Sequence, residues 1–459
     1  MRKCLSSMPD GQQARHHQLS DYFHYLLIVF GGFLLLQSLI AENCRNWPLL
    51  YKCVKYADEV FAITGFLFVV IRQLARRQIL PKTGIEWPLV LFLLVAITSS
   101  VIARVPLFIA ASQFILYIKG FLLFYIFANL SMNHVLLRKY IRFFSYVAFI
   151  IFALGVVDFV VPRWFRAITG NVAFIQYRAG IPSVKSVFIH PTVFGWFMSF
   201  IALFVLAFFF VLGKWRYFFL SILFSYGVVF SMRCKAILGL LAGTGVFAGF
   251  GKLFNKKNIL FIVLFYLSVI VPNYNRISYL FSSTVRTYGK EVWTYGEEGK
   301  SYKAARNALY FTSFKIAVDY LPLGAGLGRY GSWMSRVYYS PLYDEYELSG
   351  IRGLSRDKPN FINDTFWPMV LGETGFVGIA LYAGILILFL KTLYKQIRIS
   401  KNKYVKAFQL GTFMILIESL AESVAQPVYV SPPIVYFIFG SLGISYSLTH
   451  CRKTVPAEI

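Results

Sequence analysis

The chain has 459 residues, of which 58% are hydrophobic, 19% aromatic and only 14% charged, and its formal net charge is +26. A soluble domain of this composition would expose large apolar patches and aggregate, so we exclude a soluble protein and predict a polytopic membrane protein. The basic residues fall in short clusters between apolar runs, a pattern that orients membrane proteins, and we therefore expect no nucleic-acid partner.

Twelve apolar runs follow one another along the chain, and each is interpreted as one membrane span of roughly 20 residues. They cover residues 22–41, 57–71, 86–104, 107–130, 143–161, 191–213, 217–232, 235–251, 258–272, 365–390, 405–424 and 431–449. The first run follows a polar tail (1–21) and has full length, which predicts a retained signal anchor. The predicted fold class is an all-α integral membrane protein without internal repeats.

Basic residues occupy every second loop between these spans and both tails, 1–21 and 450–459. The positive-inside rule then places both termini in the cytoplasm. The loop residues are Arg72, Arg76, Arg77, Lys82, Arg138, Lys139, Arg142, Lys214, Arg216, Lys252, Lys256, Lys257, Lys391, Lys395, Arg398, Lys401, Lys403 and Lys406. The tails add Arg2, Lys3, Arg15, Arg452 and Lys453.

Two long loops lie on the opposite side, at 162–190 and 273–364. The second is long enough to form helices of its own, because a structureless loop of that size is unusual. It contains twelve tyrosines, which suit either anchoring at the membrane interface or stacking on sugars. Cys44 and Cys53 share an outer loop, as a disulfide or as two free thiols.

The sequence offers no nucleotide or metal motif, so we predict no cofactor and no metal. The glycine string from Gly324 to Gly328 lacks the lysine of a phosphate-binding loop. We interpret it as a turn that ends an amphipathic helix. The cysteines and histidines have no metal-ligand spacing.

Cationic side chains on the outer side are the first candidates for a functional site. Arg233 lies between two apolar runs, and an arginine near the bilayer is usually paired or functional. Guanidinium groups bind phosphate oxygens in pairs, so several together suit a diphosphate. Ion pairing with Glu345, Glu347 or Asp357 is the alternative. The candidates are Arg178, Lys185, Arg233, Lys235, Arg306, Arg329, Arg352 and Arg356.

Two acidic residues near span ten are the second group of candidates. Asp364 lies at the expected membrane surface, as a catalytic carboxylate or as the N-cap of the span. Glu373 follows nine residues later, about 13 Å deeper in a regular helix. A glutamate at that depth is expected to be paired or protonated, and we favour a structural hydrogen bond over direct catalysis.

Four segments in this order resemble the O-antigen ligase and polymerase superfamily of bacterial inner membranes. A short polar turn enters a span at Phe188–Gly195, and a Ser-Arg element lies at Phe230–Ala236. An arginine, an amphipathic helix and a Pro-x-Gly-x-Gly turn run from Arg306 to Gly328. The fourth segment is Asp364–Thr365 followed by Gly375–Gly378. With the twelve spans, the resemblance covers nearly the whole chain.

The resemblance implies a polymerase of O-antigen, capsule or exopolysaccharide that takes growing glycan from undecaprenyl diphosphate on the periplasmic side. Its catalytic residues would be Asp364, Arg306 and Arg233, and a separate chain-length regulator is an expected partner. Structural support would come from His190, Glu373, Gly375 and Gly378.

A ligase that transfers glycan to the lipid A core is the alternative within the family. Ligases carry a His followed by Asn, Ser or Gln where this chain has Asp364-Thr365, which favours the polymerase. A secondary transporter is a third hypothesis, and it would show repeated halves and broken helices near the midplane.

Overall fold

The computed structural model describes residues 10–75, 77, 82–170, 175–178, 180–245, 256–289 and 305–450. The predicted tails at 1–9 and 451–459, the end of span eight (246–251) and loop residues 290–304 lie outside these ranges. The same holds for the predicted basic residues Arg2, Lys3, Arg76, Lys252, Arg452 and Lys453.

The described chain is almost entirely helical, as the composition predicts. Its first helices are α1 (Asp10–Asn43), α2 (Pro48–Lys55), α3 (Ala57–Ala75), α4 (Glu86–Ile102), α5 (Leu107–Asn129), α6 (His134–Val160) and α7 (Pro162–Ile168). A hairpin of β1 (Tyr177–Arg178) and β2 (Ile181–Pro182) follows. Next come α8 (Pro191–Leu212), α9 (Trp215–Phe230), α10 (Cys234–Gly245), α11 (Lys256–Ile270), a 3₁₀ turn (Val271–Asn273) and α12 (Tyr274–Gly289). The last are α13 (Ala305–Asp319), α14 (Trp333–Val337), α15 (Leu342–Glu345), α16 (Trp367–Ile399), α17 (Lys403–Glu422) and α18 (Ile434–His450).

Seven helical segments among the described residues are long and apolar enough to cross a membrane, which indicates a membrane protein. They are Tyr22–Asn43, Leu107–Asn129, His134–Val160, Pro191–Leu212, Asn258–Val285, Trp367–Ile399 and Lys403–Glu422. The other five predicted spans also coincide with helices, but α4, α9, α10 and α18 have only 12 to 17 described residues. The remaining helix, α3, carries Asp58, Glu59 and Arg72. The predicted number of twelve is therefore not confirmed.

The predicted end of span nine at residue 272 lies inside a longer helical segment, which continues to Val285 and whose last part, α12, is amphipathic. The 3₁₀ turn at Val271–Asn273 keeps the chain helical and joins α11 directly to α12. Cys44 and Cys53, for which a disulfide remained an alternative, are free thiols.

The membrane helices share one apolar core, with α8 packed between α9, α10 and α17. Elsewhere in the bundle, α5 packs against α3 and α18, and α16 packs against α4 and α13. Large aromatic side chains fill the gaps, among them the fully buried Trp196, Phe194 and Tyr382. This arrangement brings the ends of α9, α10, α13, α16 and α17 into one region.

The segment from Ala305 to Ile362 has a second, smaller core around helices α13 to α15. Three of its tyrosines, Tyr330, Tyr339 and Tyr343, are buried there, and the Tyr330 and Tyr343 rings stack with centroids 5.8 Å apart. Their hydroxyl groups bond within the segment, so interfacial anchoring and sugar stacking are both wrong for these three. The same interpretations remain open for the exposed Tyr274 and Tyr338.

The predicted glycine turn after α13 is present, and it docks onto an interruption in α16. Gly375 has φ 64° and ψ −167°, so α16 consists of two helical parts that meet there. The backbone N–H of Ala325 donates to Gly372 O at 2.8 Å, and that of Gly326 donates to Glu373 O at 3.0 Å. Carbonyl groups near the interruption thus gain hydrogen-bond donors from the turn, as buried backbone groups require.

Replacing Gly375 by alanine is expected to destabilise the protein by about 1–3 kcal/mol. The added Cβ would meet a positive φ and would lie 2.5 Å from Pro322 O. Thermal unfolding in detergent measures the effect, with Gly384→Ala as the matched control on α16. Nothing lies within 4 Å of a Cβ at Gly384, so that variant should be neutral or slightly more stable. Equal unfolding temperatures for the two variants would contradict the prediction.

Candidate functional site

The centre of the candidate site is an ion pair between two predicted catalytic residues, Arg306 and Asp364. Arg306 lies in the first turn of α13, and its Nη2 is 3.0 Å from Asp364 Oδ2. Both side chains stay partly accessible, at 28% and 33%. The alternative role of Asp364 as a helix cap is wrong, because α16 begins at Trp367 with Phe366 in the N-cap position. Asp364 is thus free of a capping role and faces Arg306.

Arg233 and Arg178 reach the same region from a different part of the chain. Arg233 lies between α9 and α10, and its Nη2 donates to Gln176 Oε1 at 2.6 Å. Arg178, in strand β1, donates from Nη1 to Met232 O at 3.1 Å, which ties the hairpin to this junction. Burial, with the positive charges of Arg178 and Arg306, lowers the pKa of Arg233 to about 10, while Asp364 opposes the change. Arg233 therefore stays charged at neutral pH.

His190 forms the rim of this cationic region and caps α8. Its Nδ1 accepts a hydrogen bond from the Thr192 backbone N–H at 3.2 Å. Desolvation lowers the pKa of His190 to about 3, helped by Arg233, Lys235, Lys185 and Arg178 in that order. His190 is an exposed residue, so we expect solvent to screen part of this effect.

Acidification is therefore expected to destabilise the protein through His190. Its pKa is about 3 in the folded protein against 6.5 ordinarily, so the unfolded chain binds the proton more readily between these values and stability falls as pH falls through this range. We expect His190→Asn, which retains a good capping side chain, to lose less thermal stability than the wild type between about pH 7.5 and about pH 5. His134→Asn, on an exposed histidine at the start of α6, is the control. A wild-type pH dependence in His190→Asn would contradict the prediction.

Lys185 lies beside a buried ion pair on the loop that precedes His190. Its backbone N–H donates to Asp158 Oδ2 at 2.8 Å, and Arg166 Nε bonds to Asp158 Oδ1 at 2.8 Å. Burial and the charge of Arg166 lower the pKa of Lys185 to about 8, against the attraction of Asp158. Its ammonium group thus adds positive charge to the region at neutral pH.

Lys235 connects the site to two buried carboxylates that sequence reasoning missed. Its Nζ donates to Ala425 O at 3.2 Å, and its charge interacts with Glu422, Asp364, Arg306 and Arg233. Glu422 and Glu418 lie one turn apart on α17 and are fully buried. Two glutamates four residues apart in an apolar run were the available signal, but the run was interpreted only as a span.

Three predicted substrate-binding arginines lie elsewhere on the segment from Ala305 to Ile362, and none of them contacts the ion pair in the described structure. Arg329 donates to Ala325 O at 3.5 Å and lies over the Tyr320 ring. Arg356 is 3.8 Å from Asp344, a pairing the sequence analysis did not anticipate, and Arg352 is exposed.

Arg336 lies closer to the site than these three arginines do. The Nη1 of Arg336 donates to the side chain of Asn363, the residue before Asp364, at 3.2 Å. Arg336 was absent from the predicted site residues because nothing in the sequence links it to Asp364.

Of the predicted supporting residues, Glu373 and Gly375 contact the glycine turn. Glu373 accepts hydrogen bonds from Tyr117 Oη at 3.1 Å and from the Gly328 backbone N–H at 2.8 Å. Gly378 packs against the Thr374 side chain and leaves no space for a Cβ. Glu373 thus has the surroundings of a structural residue that joins α5, α16 and the turn.

Positive charge dominates the site, with Asp364 its single partly exposed carboxylate among the described residues. Several buried polar atoms around it have no hydrogen-bond partner in the described structure. They are Arg233 Nε, Thr365 Oγ1, Gln426 Oε1 and both carboxylate oxygens of Glu422. Unpaired polar groups in a native interior call for water or a ligand. Arg233 Nε and the Thr365 hydroxyl group can donate to an anion, whereas the Gln426 and Glu422 oxygens need a donor, so it is the cations that favour an anion. The cations are Arg178, Lys185, Arg233, Lys235 and Arg306.

No protein-family model matches this chain, and no curated protein matches it. The resemblance to the O-antigen ligase and polymerase superfamily therefore stays a prediction.

Proposed function

We propose that this protein polymerises the repeat units of a bacterial surface polysaccharide. A growing glycan on undecaprenyl diphosphate would be transferred to a hydroxyl group of a second lipid-linked repeat unit. The single observation that carries the proposal is the convergence of Arg178, Arg233, Arg306 and Asp364 from four separate segments. Three of the four segments are those in which the sequence resembles the polymerase family.

The chemistry follows from the charges. In the reaction, the bond between the sugar's anomeric carbon and the diphosphate oxygen breaks, and a bond to the acceptor oxygen forms. Negative charge develops on the leaving diphosphate, where Arg306 and Arg233 would stabilise it. Asp364 Oδ2 accepts from Arg306, while Oδ1 has no hydrogen-bond partner among the described residues and would receive the acceptor's proton.

The topology in this proposal has twelve spans, with both termini in the cytoplasm and the site on the periplasmic face of the inner membrane. The short helices α4, α9, α10 and α18 would complete the count alongside α3. The distribution of basic loops supports this orientation. The arginines would then meet the diphosphate at the level of the lipid headgroups.

A secondary transporter is the second candidate, because α16 is interrupted at Gly375, as transporter helices often are. The interruption is occupied, however, by the turn that carries Ala325 and Gly326, whose N–H groups bond to α16. A transporter would leave such groups for its substrate. This difference favours the polymerase.

The size distribution of surface glycans in a strain without this gene tests the proposal. A polymerase predicts single repeat units on the lipid core or on the carrier. Long polymer that never leaves the carrier would establish a ligase instead. An unchanged glycan profile would exclude both enzymes and favour the transporter. Restoration by a plasmid copy controls for effects on neighbouring genes.

A further inference from the structure

A large apolar cavity opens between the helices of the bundle, away from the candidate site. Its volume is about 660 Å³, and α1, α5, α6, α8, α9, α17 and α18 contribute to its wall. Most of the lining is aliphatic or aromatic, including Phe127, Phe200, Phe204 and Phe408. Ligand pockets typically have about 300–1,000 Å³, and close-packed interiors leave few voids of this size. The cavity therefore suits a hydrocarbon chain.

Three arginines surround one end of this cavity. Arg138, Arg142 and Arg216 line it and are exposed. None of the three forms an ion pair with a carboxylate in the described part of the chain. The guanidinium of Arg138 lies 4.6 Å from the centroid of the Tyr404 ring, which holds it at the mouth. A hydrocarbon chamber with a cationic mouth matches an amphiphile with an anionic head.

The mouth and the candidate site lie at opposite ends of the same helices. On α6, Arg138 is near the first residue and Asp158 is near the last, about 30 Å apart. Likewise, α9 begins beside Arg216 and ends beside Arg233, and α8 begins at His190 and passes the cavity at Phe208. This separation equals the hydrocarbon thickness of a bilayer, roughly 30 Å. A diphosphate bound at Arg306 thus cannot also occupy the mouth.

We propose that this cavity binds one anionic phospholipid from the leaflet at the arginine end. An acyl chain would fill the aromatic chamber, and the phosphate would lie against Arg138, Arg142 and Arg216. The exposed Tyr146 and Phe149 flank the cavity and provide a lateral entrance from the bilayer. The proposal does not depend on the activity of the candidate site.

Native mass spectrometry of the full-length protein in detergent tests this site, with phosphatidylglycerol and phosphatidylethanolamine of identical acyl chains as probes. We expect one tightly bound phosphatidylglycerol per chain and weaker binding of phosphatidylethanolamine. The double variant Arg138→Gln/Arg216→Gln should bind phosphatidylglycerol about 10- to 30-fold more weakly. Arg163→Gln, on an exposed arginine of α7 at the other end, is the matched control and should bind normally.

A second variant avoids any dependence on the arginines for folding. Ser145 lines the cavity, and Ser145→Trp should fill part of it and reduce binding of both probes. Equal uptake of the two phospholipids by the wild type, or undiminished binding in both variants, would overturn the proposal. Displacement of phosphatidylglycerol by an equal concentration of undecaprenyl phosphate would overturn it too, because the occupant would then be a polyprenyl lipid.

Discussion

Replacement of Arg306 by alanine is expected to lower the rate of glycan polymerisation by about 10²–10³-fold, the usual cost of removing one donor to a developing oxyanion. In the proposed reaction the variant would lack a cation that faces the leaving diphosphate, and it also releases Asp364 from its 3.0 Å ion pair. The measurement is the amount of polymer formed per unit time by membranes supplied with lipid-linked repeat units.

Two further variants separate charge from geometry at this position. Arg306→Lys keeps the positive charge but loses the planar pair of donors, so we expect intermediate activity. Arg163→Ala removes an exposed arginine of α7 and should leave the rate unchanged. Wild-type rates in a folded, membrane-inserted Arg306→Ala protein would exclude a role in transition-state stabilisation.

Replacement of Asp364 by alanine is expected to reduce polymerisation by about 10²–10⁴-fold if its carboxylate accepts the proton of the attacking hydroxyl. The neutral isostere Asp364→Asn should reduce polymerisation almost as much, because an amide cannot accept that proton. Asp357→Ala is the matched control, since Asp357 is an exposed carboxylate seven residues earlier. Near-normal glycan length with either Asp364 variant would rule out the proton-acceptor role.

The double variant Arg306→Ala/Asp364→Ala distinguishes two ways in which the pair could act. If Arg306 only positions Asp364, the double variant should be no slower than Asp364→Ala alone. If Arg306 also binds the diphosphate, the two losses should multiply. Thermal unfolding of the same variants should give a coupling free energy between Arg306 and Asp364 of at most about 1 kcal/mol, because both side chains are partly exposed.

Local sequence signals predicted much of this structure. Apolar runs marked the helical class, and the glycine string correctly predicted a turn after a helix that begins beside Arg306. That helix, α13, was expected to be amphipathic, but it has apolar side chains on both its buried and its exposed faces. These features depend on neighbouring residues, so they are visible in a linear pattern. The convergence of Arg233, Arg306 and Asp364 was proposed from order and resemblance, not from any local rule.

Features that depend on tertiary packing were beyond local patterns. The burial of Tyr330 and Tyr343 requires the second core around α13 to α15, which no periodicity shows. Glu418 and Glu422 lie in an apolar run that was interpreted only as a span. The proximity of Lys235 to Glu422 depends on the packing of α10 against α17, which the sequence does not show. Gly375 was predicted to give structural support, but the interruption of α16 there, onto which the turn docks, has no signal in the local sequence.

Because the glycine turn docks onto α16, it can reach its final position only after α16 has been synthesised. Arg306 leaves the ribosome 58 residues before Asp364, a delay of roughly 3–12 s at typical translation rates. During that interval the turn has no α16 carbonyls to bond, and Arg306 lacks its carboxylate. In a chain truncated just before Trp367, the segment that contains α13 and the glycine turn should therefore be unable to pack onto the helix bundle. We expect quality-control proteases to degrade this truncated chain.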